Sequence, residues 1–423
     1  MHFETKLVHG VSETDGKRAT QPPVYQTVSF SFPDFQTAVD RFEMKAVGAT
    51  YTRSGNPTVD LLSKKLAELE GGIGAVVTAS GHAAQLVALL PLMQPGDHLI
   101  GAKLLYGGST NQFNHVFPQH FGWQASLVDM DDIDALKAAI TERTRAIFIE
   151  SISNPSGAVT DIEAVARIAE EFHIPLLVDN TMASPYLCRP FEYGAHIITH
   201  STTKYLTGTG TAIGGAVIDS GRFNWGKDNR FPALTTPCGA CNDLVLWDEF
   251  KQHAYLAHAR AIGVRDLGAC QQPMNAFMTL VGMETLALRM ERHASNAKKV
   301  ATWLSQHEKV SAVSHASLPS HRHHARLRKY LPQGTGAVFT FDIKGADRAA
   351  CGRFIEALQL LQHVVNVGDT RSLIVHPAST THKQISAELR AECGISEASL
   401  RISIGIEHPD DIIADLERGF KAL

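Results

Sequence analysis

The sequence predicts an α/β fold with a mostly parallel sheet flanked by helices, an extended N-terminal arm and a smaller C-terminal α+β domain. Two observations lead to this prediction. Short apolar runs, many of them β-branched, alternate with amphipathic segments between residues 61 and 219, which is the pattern of strand–helix–strand units. Polar residues directly follow several of these runs, as they do where parallel strands end beside a ligand site.

The composition excludes several classes of protein. With 423 residues, 44% hydrophobic and 19% charged content, the chain resembles ordinary globular proteins and is long enough for about two or three domains. The net charge of -4 shows no long run of one sign, so nothing favours nucleic acid or an anionic membrane as a partner. The N-terminus lacks the apolar core of a signal peptide, and no stretch is long enough to span a membrane. We therefore expect a cytoplasmic protein that acts on small molecules.

Residues 1–60 carry little periodic structure and form the predicted arm. Paired prolines in QPPVYQTVSF and the Asn-Pro turn signal in YTRSGNPT interrupt any regular pattern. An arm with this many apolar residues should pack on its own body or on a neighbouring subunit. Tyr51 and Arg53 stand two apart, so in an extended segment they share a face and offer a hydroxyl and a guanidinium to a phosphate. A surface Tyr and Arg in an ordinary loop are an equally good interpretation.

The elements of the large domain follow in order. TVDLLSKKLAELEGG is predicted as a helix ended by Gly71 and Gly72, GAVVTAS as a strand and GHAAQLVALLPLM as the next helix. Ser80, Gly81 and His82 then lie at a helix N-terminus after a strand, where free N–H groups and the helix dipole favour a phosphate. Further strands are expected at DHLIGA, ASLVD, RAIFIES, PLLVDN, HIITHS and GGAVID, with helices at IDALKAAIT and DIEAVARIAEEF.

Polar residues mark three of these strand ends. RAIFIES reaches Glu150 and continues to Asn154, PLLVDN ends near Asp179, and HIITHS leads to Lys204. An aspartate after four apolar residues needs a cationic partner such as a protonated pyridine nitrogen, unless it only caps the next helix. A lysine at the mouth of a buried strand can be desolvated, which lowers its pKa and frees its amine to react with a carbonyl. A solvated lysine is the alternative.

The segment HSTTKYLTGTGTAIGG adds hydroxyls and a glycine loop around that lysine. Ser201 and Thr203 stand three residues and one residue before it, where their hydroxyls can donate hydrogen bonds to a phosphate. The loop GTGTAI resembles a dinucleotide fingerprint, but Ile213 takes the third glycine position and a strand follows, so we reject that interpretation. Tyr106 in LLYGGST can stack on a flat cofactor or be an ordinary loop tyrosine.

The C-terminal part is predicted in less detail. Residues 222–275 are predicted as a long insertion with two short helices, and GMETLALRMERHASNAKKVATWLSQ as one long amphipathic helix that leads to a second domain. GAVFTFDI, CGRFIEALQLL, LRISIGI and DDIIADLERGF indicate a smaller α+β layer. Arg401 in the strand LRISIGI can hold a carboxylate through two parallel hydrogen bonds, or it can face solvent.

Neither the cysteines nor the histidines predict a metal site. The six cysteines are scattered, as in a reducing compartment. Cys238 and Cys241 have zinc or redox spacing, but no second pair completes a tetrahedral site and the pair follows a Pro-containing segment. His321, His323 and His324 in HRHHARLRK fit a solvated basic face better than a ligand set. We therefore expect no metal.

Taken together, seven motifs resemble, over almost the whole chain, the cystathionine γ-synthase type of pyridoxal-phosphate enzymes acting on cysteine, homocysteine and homoserine derivatives. They are YTRSGNPT, SGHAA, LYGGST, DNT, HSTTKY, HPASTTH and LRISIGIE. The resemblance implies a fold-type I PLP-dependent transferase with pyridoxal 5'-phosphate as cofactor. It implies a homo-oligomer, usually a tetramer formed as a dimer of dimers. It also implies an arm at 1–60 that contacts a neighbouring subunit, a PLP-binding α/β domain at 61–285 and a C-terminal α+β domain at 286–423.

The same resemblance implies roles for single residues. Lys204 resembles the Schiff-base lysine, Asp179 the partner of the pyridine nitrogen and Tyr106 the stacked ring, and these three are the expected catalytic residues. Asn154 would lie near the phenolic oxygen of the cofactor and near the substrate. The implied phosphate ligands are Gly81, His82, Ser201 and Thr203 of one subunit with Tyr51 and Arg53 of a neighbour. The implied ligands of the substrate α-carboxylate are Arg401 and Asn366.

Within that family, the long insertion and the segments RDLGACQQPMNAF, NVGD and HPASTTH resemble the O-acetylhomoserine sulfhydrylase branch. This implies methionine biosynthesis by γ-replacement on O-acetyl-L-homoserine, in which sulfide gives homocysteine, methanethiol gives methionine, and acetate leaves. Methionine γ-lyases usually carry a cysteine where this chain has Gly108. Thr209 in place of the usual histidine, and CGACND in place of an aromatic-histidine element, leave the acyl group and the sulfur donor open. A lyase or cystathionine-forming enzyme, and a non-catalytic protein of the same fold, are the alternatives.

Overall fold

The computed structural model describes residues 1–11, 19–43, 45–383 and 386–423. Within these ranges the chain forms a seven-stranded sheet, a five-stranded sheet and a two-stranded ribbon, all joined by helices. No helix in the described ranges is long and apolar enough to cross a lipid bilayer.

The N-terminal arm is less irregular than its sequence indicates. It contains helix α1 (Phe3–His9) and helix α2 (Phe35–Phe42), so the prediction of little periodic structure is wrong over these two segments. Helix α2 begins where the Asp34 carboxylate accepts a hydrogen bond from the Thr37 backbone N–H, 2.7 Å away, which is an N-cap. The arm exposes large apolar side chains, among them Phe35 at 84% and Val47 at 99%.

The seven-stranded sheet forms the core of the large domain, and each predicted strand is present. Its order is β1-β7-β6-β5-β4-β2-β3; β7 runs antiparallel to β1 and β6, whereas the neighbours from β6 to β3 are parallel. The central strands are buried on both faces, which is why their sequences are continuous apolar runs. The strands are β1 Gly74–Thr78, β2 His98–Ala102, β3 Gln124–Val128, β4 Thr144–Glu150, β5 Leu176–Asp179, β6 Ile197–His200 and β7 Gly215–Asp219.

Helices cover this sheet between its strands. Helix α3 (Pro57–Glu70) starts with proline in its first turn and ends at Gly71, whose φ of +79° is readily adopted by glycine. Helix α4 (Gly81–Leu89) ends four residues before the predicted Met93. Leu90 still has helical backbone angles, but Pro91 has no backbone N–H to continue the hydrogen bonds of the helix. The others are α5 Gly107–Asn111, α6 Phe117–Phe121, α7 Ile133–Ala139, α8 Ile162–Glu171 and α9 Ser184–Leu187, with a π-helix at Gln112–Val116.

The insertion is more helical than predicted. It contains a short ribbon of β8 (Pro237–Cys238) and β9 (Leu244–Val245), and its helical segments outnumber the two that were expected. The predicted long helix, residues 282–306, is present as α14 (Leu286–Gln306). Its first three residues instead end the preceding helix, α13 (Pro273–Glu284), and the two helices part at Thr285 with ψ near 10°. The other segments are α10 Pro232–Thr235, α11 Leu246–Phe250, α12 Ala254–His258 and a π-helix at Ala259–Asp266.

The second sheet has the order β10-β11-β14-β13-β12 and is antiparallel except for the β12–β13 pair. It supplies the small α+β layer that the sequence predicts. The division of the chain at residues 60 and 285 stays a prediction. The strands are β10 Val310–Ser314, β11 Val338–Ile343, β12 Gln362–His363, β13 Leu373–Val375 and β14 Ser399–Ser403, and the helices are α15 Leu327–Tyr330, α16 Arg348–Ala357, α17 Ala387–Glu392 and α18 Pro409–Lys421.

Candidate functional site

A cavity of about 250 Å³ lies at the carboxyl ends of β4, β5 and β6, with residues of the second sheet on its other side. Ligands gather at this edge of a parallel sheet because polar loops and helix N-termini meet there. Ten of the twelve predicted site residues line it. They are Gly81, His82, Tyr106, Asn154, Asp179, Ser201, Thr203, Lys204, Asn366 and Arg401.

Lys204 lies in the turn after β6 and points its amine into the cavity. Its Nζ donates a hydrogen bond to Oδ1 of Asn366, 2.7 Å away. Burial, and secondarily the positive charge of Arg401, lower the pKa of Lys204 to about 8. The interpretation of a solvated lysine is therefore wrong. A substantial fraction of this amine is neutral, and so nucleophilic, near pH 8.

Asp179 is the last residue of β5 and also faces the cavity. Its Oδ1 accepts a hydrogen bond from the Thr181 backbone N–H at 3.0 Å, and its Oδ2 accepts one from the Thr199 hydroxyl at 3.1 Å. The next helix, α9, has its N-cap at Ala183, so the helix-capping alternative is wrong. Two neutral donors hold the carboxylate in place and leave its charge available to a cationic ligand.

Glu150 lines the cavity but was not among the predicted site residues. Its Oε1 accepts a hydrogen bond from the Tyr106 backbone N–H at 2.7 Å, and its Oε2 accepts one from the Asn154 backbone N–H at 3.1 Å. The carboxyl group lies opposite Asp179 on the next strand. Complete burial, and then the charge of Asp179, raise the pKa of Glu150 to about 8. A glutamate that ends a run of apolar strand residues was the available signal.

The ring of Tyr106 is placed by its neighbours. Its edge meets the His82 imidazole at 5.9 Å between centroids and an interplanar angle of 65°, a favourable aromatic geometry. Gly108 makes this contact possible, since a Cβ there would lie 2.5 Å from Cε1 of Tyr106 and 2.7 Å from Nε2 of His82. One face of the cavity is therefore aromatic.

One end of the cavity is suited to an anion. Helix α4 begins there after Ser80, whose side chain accepts a hydrogen bond from the Ala83 backbone N–H at 3.1 Å. Gly81 approaches Ser201 so closely that a Cβ on the glycine would lie 2.7 Å from the Cβ of the serine. The Thr203 hydroxyl also lines this end and is hydrogen-bonded to the backbone of Gly214. A helix N-terminus with hydroxyls beside it is a favourable phosphate site.

Arg401 closes the cavity from the second sheet. It lies on β14 and is only 3% exposed, so its solvent-facing alternative is wrong. Its guanidinium donates to Oδ1 of Asn154 at 3.3 Å and to the carbonyl of Asn366 at 3.1 Å. Burial lowers its pKa to about 10. Its Nε is buried and has no hydrogen-bond partner among the described residues, so the guanidinium still has a donor for a carboxylate.

Gln85 and Ser109 also line the cavity and were not among the predicted site residues. Gln85 donates from Nε2 to the Ser109 hydroxyl at 2.8 Å, and both side chains are buried. Oε1 of Gln85 has no partner among the described residues. The available signal was a glutamine within the otherwise apolar helix segment GHAAQLVALL.

Tyr51 and Arg53 do not line the cavity of their own chain. The Arg53 guanidinium lies 5.4 Å from the centroid of the Tyr51 ring and donates a hydrogen bond to the carbonyl of Arg265. The Tyr51 side chain is exposed. A role for this pair in the cavity of a neighbouring subunit stays a prediction.

The histidine-rich segment differs from its prediction as a solvated face. His323 is buried, its Nε2 lies 2.7 Å from Oδ2 of Asp131, and its Nδ1 accepts a hydrogen bond from the Val159 backbone N–H at 3.1 Å. This histidine is therefore structural. Within the described ranges, no group of three or more His, Cys, Asp and Glu side chains is arranged to hold a metal ion.

Comparisons with known proteins match nearly the whole chain to one family of enzymes. The model of the family described as Cys/Met metabolism PLP-dependent enzyme matches residues 4–421. Sulfhydrylase FUB7 of Gibberella moniliformis is 43% identical, covering 99% of this chain and 97% of that protein. O-acetyl-L-homoserine sulfhydrylase 1 of Thermus thermophilus is also 43% identical, covering 99% of both chains.

A solved structure is also similar to this chain over its full length. The crystal structure of a Campylobacter jejuni protein designated an O-acetylhomoserine (thiol)-lyase has a TM-score of 0.97, 38% sequence identity and complete coverage of both chains. That structure carries N'-pyridoxyl-lysine-5'-monophosphate at its position 205.

Proposed function

Because this chain belongs to the family of Cys/Met metabolism PLP-dependent enzymes, we propose that it is an O-acetylhomoserine sulfhydrylase. It replaces the acetoxy group of O-acetyl-L-homoserine with sulfide, giving homocysteine and acetate, or with methanethiol, giving methionine. The observation that carries the proposal is the desolvated amine of Lys204, which lines one cavity together with Asp179 and Arg401. The names of the sulfhydrylases that match the whole chain support the same activity.

The cavity fits pyridoxal 5'-phosphate. The Lys204 amine would hold its aldehyde carbon, the Tyr106 ring would lie against its pyridine ring, and Asp179 would face its ring nitrogen. The N-terminus of α4, with Ser201 and Thr203, would take its phosphate. When bound, the cofactor supplies an electron sink for negative charge at the substrate α-carbon.

The side chains of the protein provide the proton transfers and the binding. The carboxylate of Asp179 favours the protonated form of a ring nitrogen beside it. The neutral amine of Lys204 takes the proton from the substrate α-carbon and delivers protons to carbon atoms on the same side, a role suited to its pKa of about 8. Arg401 binds the substrate α-carboxylate through its free N–H groups, which fixes the amino acid against the amine.

The charges around the cavity support an acetyl leaving group. Of the described lining residues, Lys204 and Arg401 are the two cationic side chains, and both already have a partner in the proposed complex. A succinyl or phosphoryl group would bring a further anion, besides the cofactor phosphate and the substrate α-carboxylate, into a cavity whose described lining residues offer no third Lys or Arg side chain, which is costly. The acetyl ester is neutral, so it fits the remaining surface.

The proposed assembly is a homo-oligomer in which the arm of one subunit reaches the cavity of another. Tyr51 and Arg53 would then contact the cofactor phosphate of the neighbour, because they lie outside the cavity of their own chain. The exposed apolar side chains of the arm support contact with a second copy of the chain. A tetramer, formed as a dimer of dimers, is the proposed complete assembly.

The experiment is an assay of the purified protein with O-acetyl-, O-succinyl- and O-phosphohomoserine, each with and without sulfide. We expect acetate and homocysteine from the acetyl ester in the presence of sulfide, and little turnover of the two anionic esters. Release of ammonia and a 2-oxo acid without any thiol would favour the lyase alternative. A purified protein without visible absorbance would favour the non-catalytic one.

A further inference from the structure

A buried chain of polar side chains lies behind the cavity and joins the ends of three strands. Three of these side chains do not line the cavity, but each directly follows or precedes a residue that does. They are Ser151, Asn180 and His200. The side chain of Glu70, at the end of α3, connects two of them. We propose that Glu70 is a positioning residue, which holds the strand ends that carry Glu150, Asp179 and the Lys204 turn at their working spacing.

The contacts form one continuous path across β4, β5 and β6. The Ser151 hydroxyl donates to Oδ1 of Asn180 at 2.8 Å, and Nδ2 of Asn180 donates to Oε1 of Glu70 at 2.9 Å. The same Oε1 lies 2.6 Å from Nε2 of His200. A single oxygen atom thus accepts hydrogen bonds from side chains at the ends of two neighbouring strands, and a third strand joins through Ser151.

The position of Glu70 is unfavourable without these partners. Its side chain is fully buried, and it occupies the last residue of α3, where the negative end of the helix dipole disfavours a carboxylate. A buried carboxylate is tolerated when donors surround it. Two donors from separate strands bind its Oε1, whereas its Oε2 is buried without a hydrogen-bond partner among the described residues. The carboxylate therefore depends on these two donors, and a shift of either strand end would remove one of them.

The network is linked to the cavity through the alternation of side chains along each strand. Asp179 faces the cavity and the next residue, Asn180, faces Glu70; Glu150 and Ser151 are related in the same way on β4. His200 directly precedes Ser201, which lines the anion end, and Lys204 follows in the same turn. Moving the rear side chains would therefore move the front ones, with the large effects on rate that small misplacements cause.

The test compares three variants of the coenzyme-loaded protein, and it rests on the proposed function. Glu70→Met keeps the volume and removes the acceptor oxygen, whereas Glu70→Gln keeps that oxygen. Leu69→Ala is the matched control, because Leu69 is a buried apolar neighbour on the same helix, outside the polar chain. The readouts are visible circular dichroism of the bound coenzyme, the pH midpoint of its absorbance, and kcat and KM for O-acetylhomoserine.

We expect Glu70→Met to lower kcat roughly tenfold or more, with altered circular dichroism and a shifted pH midpoint. KM should change little, because Arg401 stands on the other sheet. Glu70→Gln should keep the circular dichroism, the pH midpoint, kcat and KM close to the wild-type values. Leu69→Ala should lower the melting temperature and leave the coenzyme signals and kcat as they are.

The inference is overturned if Glu70→Met matches wild type in coenzyme signals and kcat, if Leu69→Ala reproduces its changes, or if Glu70→Gln loses as much as Glu70→Met. Should Glu70→Met fail to fold, Ser151→Ala decides, since it leaves Glu70 in place and removes the hydroxyl that donates to Asn180 at 2.8 Å and, more weakly, to the Asp179 carbonyl at 3.4 Å. If Ser151→Ala alters kcat and the coenzyme signals, even by less than expected for Glu70→Met, the proposal is supported. If Ser151→Ala leaves them at the wild-type values, the proposal is overturned. A wild-type protein that shows no visible coenzyme band contradicts the proposed function itself.

Discussion

The amine of Lys204 donates a hydrogen bond to the side chain of Asn366, 2.7 Å away and 162 positions later in the chain. Lys204 follows β6 of the large sheet, and Asn366 lies between β12 and β13 of the small one. The reactive amine is therefore held at the place where the two sheets meet. Relative movement of these two parts would change the surroundings of the amine directly.

Replacing Lys204 with alanine should abolish turnover and the visible absorbance of the loaded protein, because the proposed attachment point of the cofactor is removed. The melting temperature without coenzyme should stay near wild type or rise, since a desolvated amine is lost. Absorbance spectra and the sulfide assay check both expectations. Lys65→Ala is the control, because Lys65 is also a buried lysine with a lowered pKa but lies outside the cavity. Retained turnover in Lys204→Ala would refute the role.

Replacing Asn366 with aspartate should shift the reactivity of Lys204 to higher pH. The neutral amine is the reactive form, and the pKa of about 8 sets the pH at which half of it is present. A carboxylate in place of the amide oxygen favours the protonated amine, so the midpoint should rise by about one unit or more. The measurement is the rate at which coenzyme-free protein binds pyridoxal phosphate between pH 6 and pH 10. A midpoint at or below that of wild type would contradict the assigned environment.

Replacing Arg401 with lysine should raise KM for O-acetylhomoserine while kcat changes much less. Lysine keeps the charge but loses the planar fork, so about one charge-assisted hydrogen bond to the α-carboxylate is lost. That loss corresponds to roughly a tenfold to hundredfold rise in KM. Arg289→Lys is the control, because Arg289 is also buried and each of its three guanidinium nitrogen atoms donates a hydrogen bond within the protein. It should lower the melting temperature without changing KM, and an unchanged KM in Arg401→Lys would remove Arg401 from the substrate site.

Replacing Glu150 with glutamine should change how stability depends on pH. The pKa of Glu150 is raised from 4.5 to about 8, so between these values the folded protein keeps a proton that the unfolded chain releases. Wild type therefore loses stability as the pH rises through this window, by up to roughly 1.4 kcal/mol per pH unit, and glutamine does not. Melting temperatures of the two coenzyme-free proteins from pH 4 to pH 9 should diverge in favour of the variant and run parallel above about pH 8.

A second buried carboxyl group serves as the comparison for that experiment. Burial raises the pKa of Asp219 to about 7, and this side chain lies outside the cavity. The melting temperatures of Asp219→Asn and wild type should stop diverging near pH 7, about one pH unit below the point expected for Glu150→Gln. A pH-independent difference for Glu150→Gln would show that Glu150 is ionised in the folded protein.

Mixing two inactive variants should restore activity if Arg53 acts on a neighbouring subunit. Arg53→Ala supplies an intact lysine, and Lys204→Ala supplies an intact arm. After random mixing, about half of the dimers contain one copy of each variant. In each of these mixed dimers, one of the two sites has both an intact Lys204 and an intact Arg53, so about a quarter of the wild-type activity should return. The measurement is the sulfide assay before and after the two proteins are unfolded and refolded together. No recovery would place Arg53 outside the site of the neighbour.

The strands and their polar ends could be predicted because the sheet is buried on both faces. Ile147, Phe148 and Ile149 on β4 are fully buried, as are Leu177 and Val178 on β5. Continuous apolar runs are the sequence pattern that such burial produces. The positions of the cavity residues then followed, since carboxyl ends of parallel strands meet at one edge.

The residues that were missed depend on contacts distant in sequence. Glu70 stands at the end of an amphipathic helix, where it reads as an exposed residue, and its partner His200 is 130 positions away. The order of the strands brings these two together, and no local pattern encodes that order. Thr285 was missed for a different reason: threonine is tolerated in helices, so the break between α13 and α14 leaves no signal comparable to glycine or proline.

The exposed arm has a consequence for the amount of enzyme that a cell needs. On the proposed assembly, each chain completes a phosphate site other than its own, and the apolar side chains that would hold the copies together are open to water in a single chain. Output per molecule would then depend on how many molecules are present. At low protein concentration a smaller fraction of the chains would be assembled, so the activity per chain would be lower. Doubling a low expression level would therefore more than double the rate of product formation.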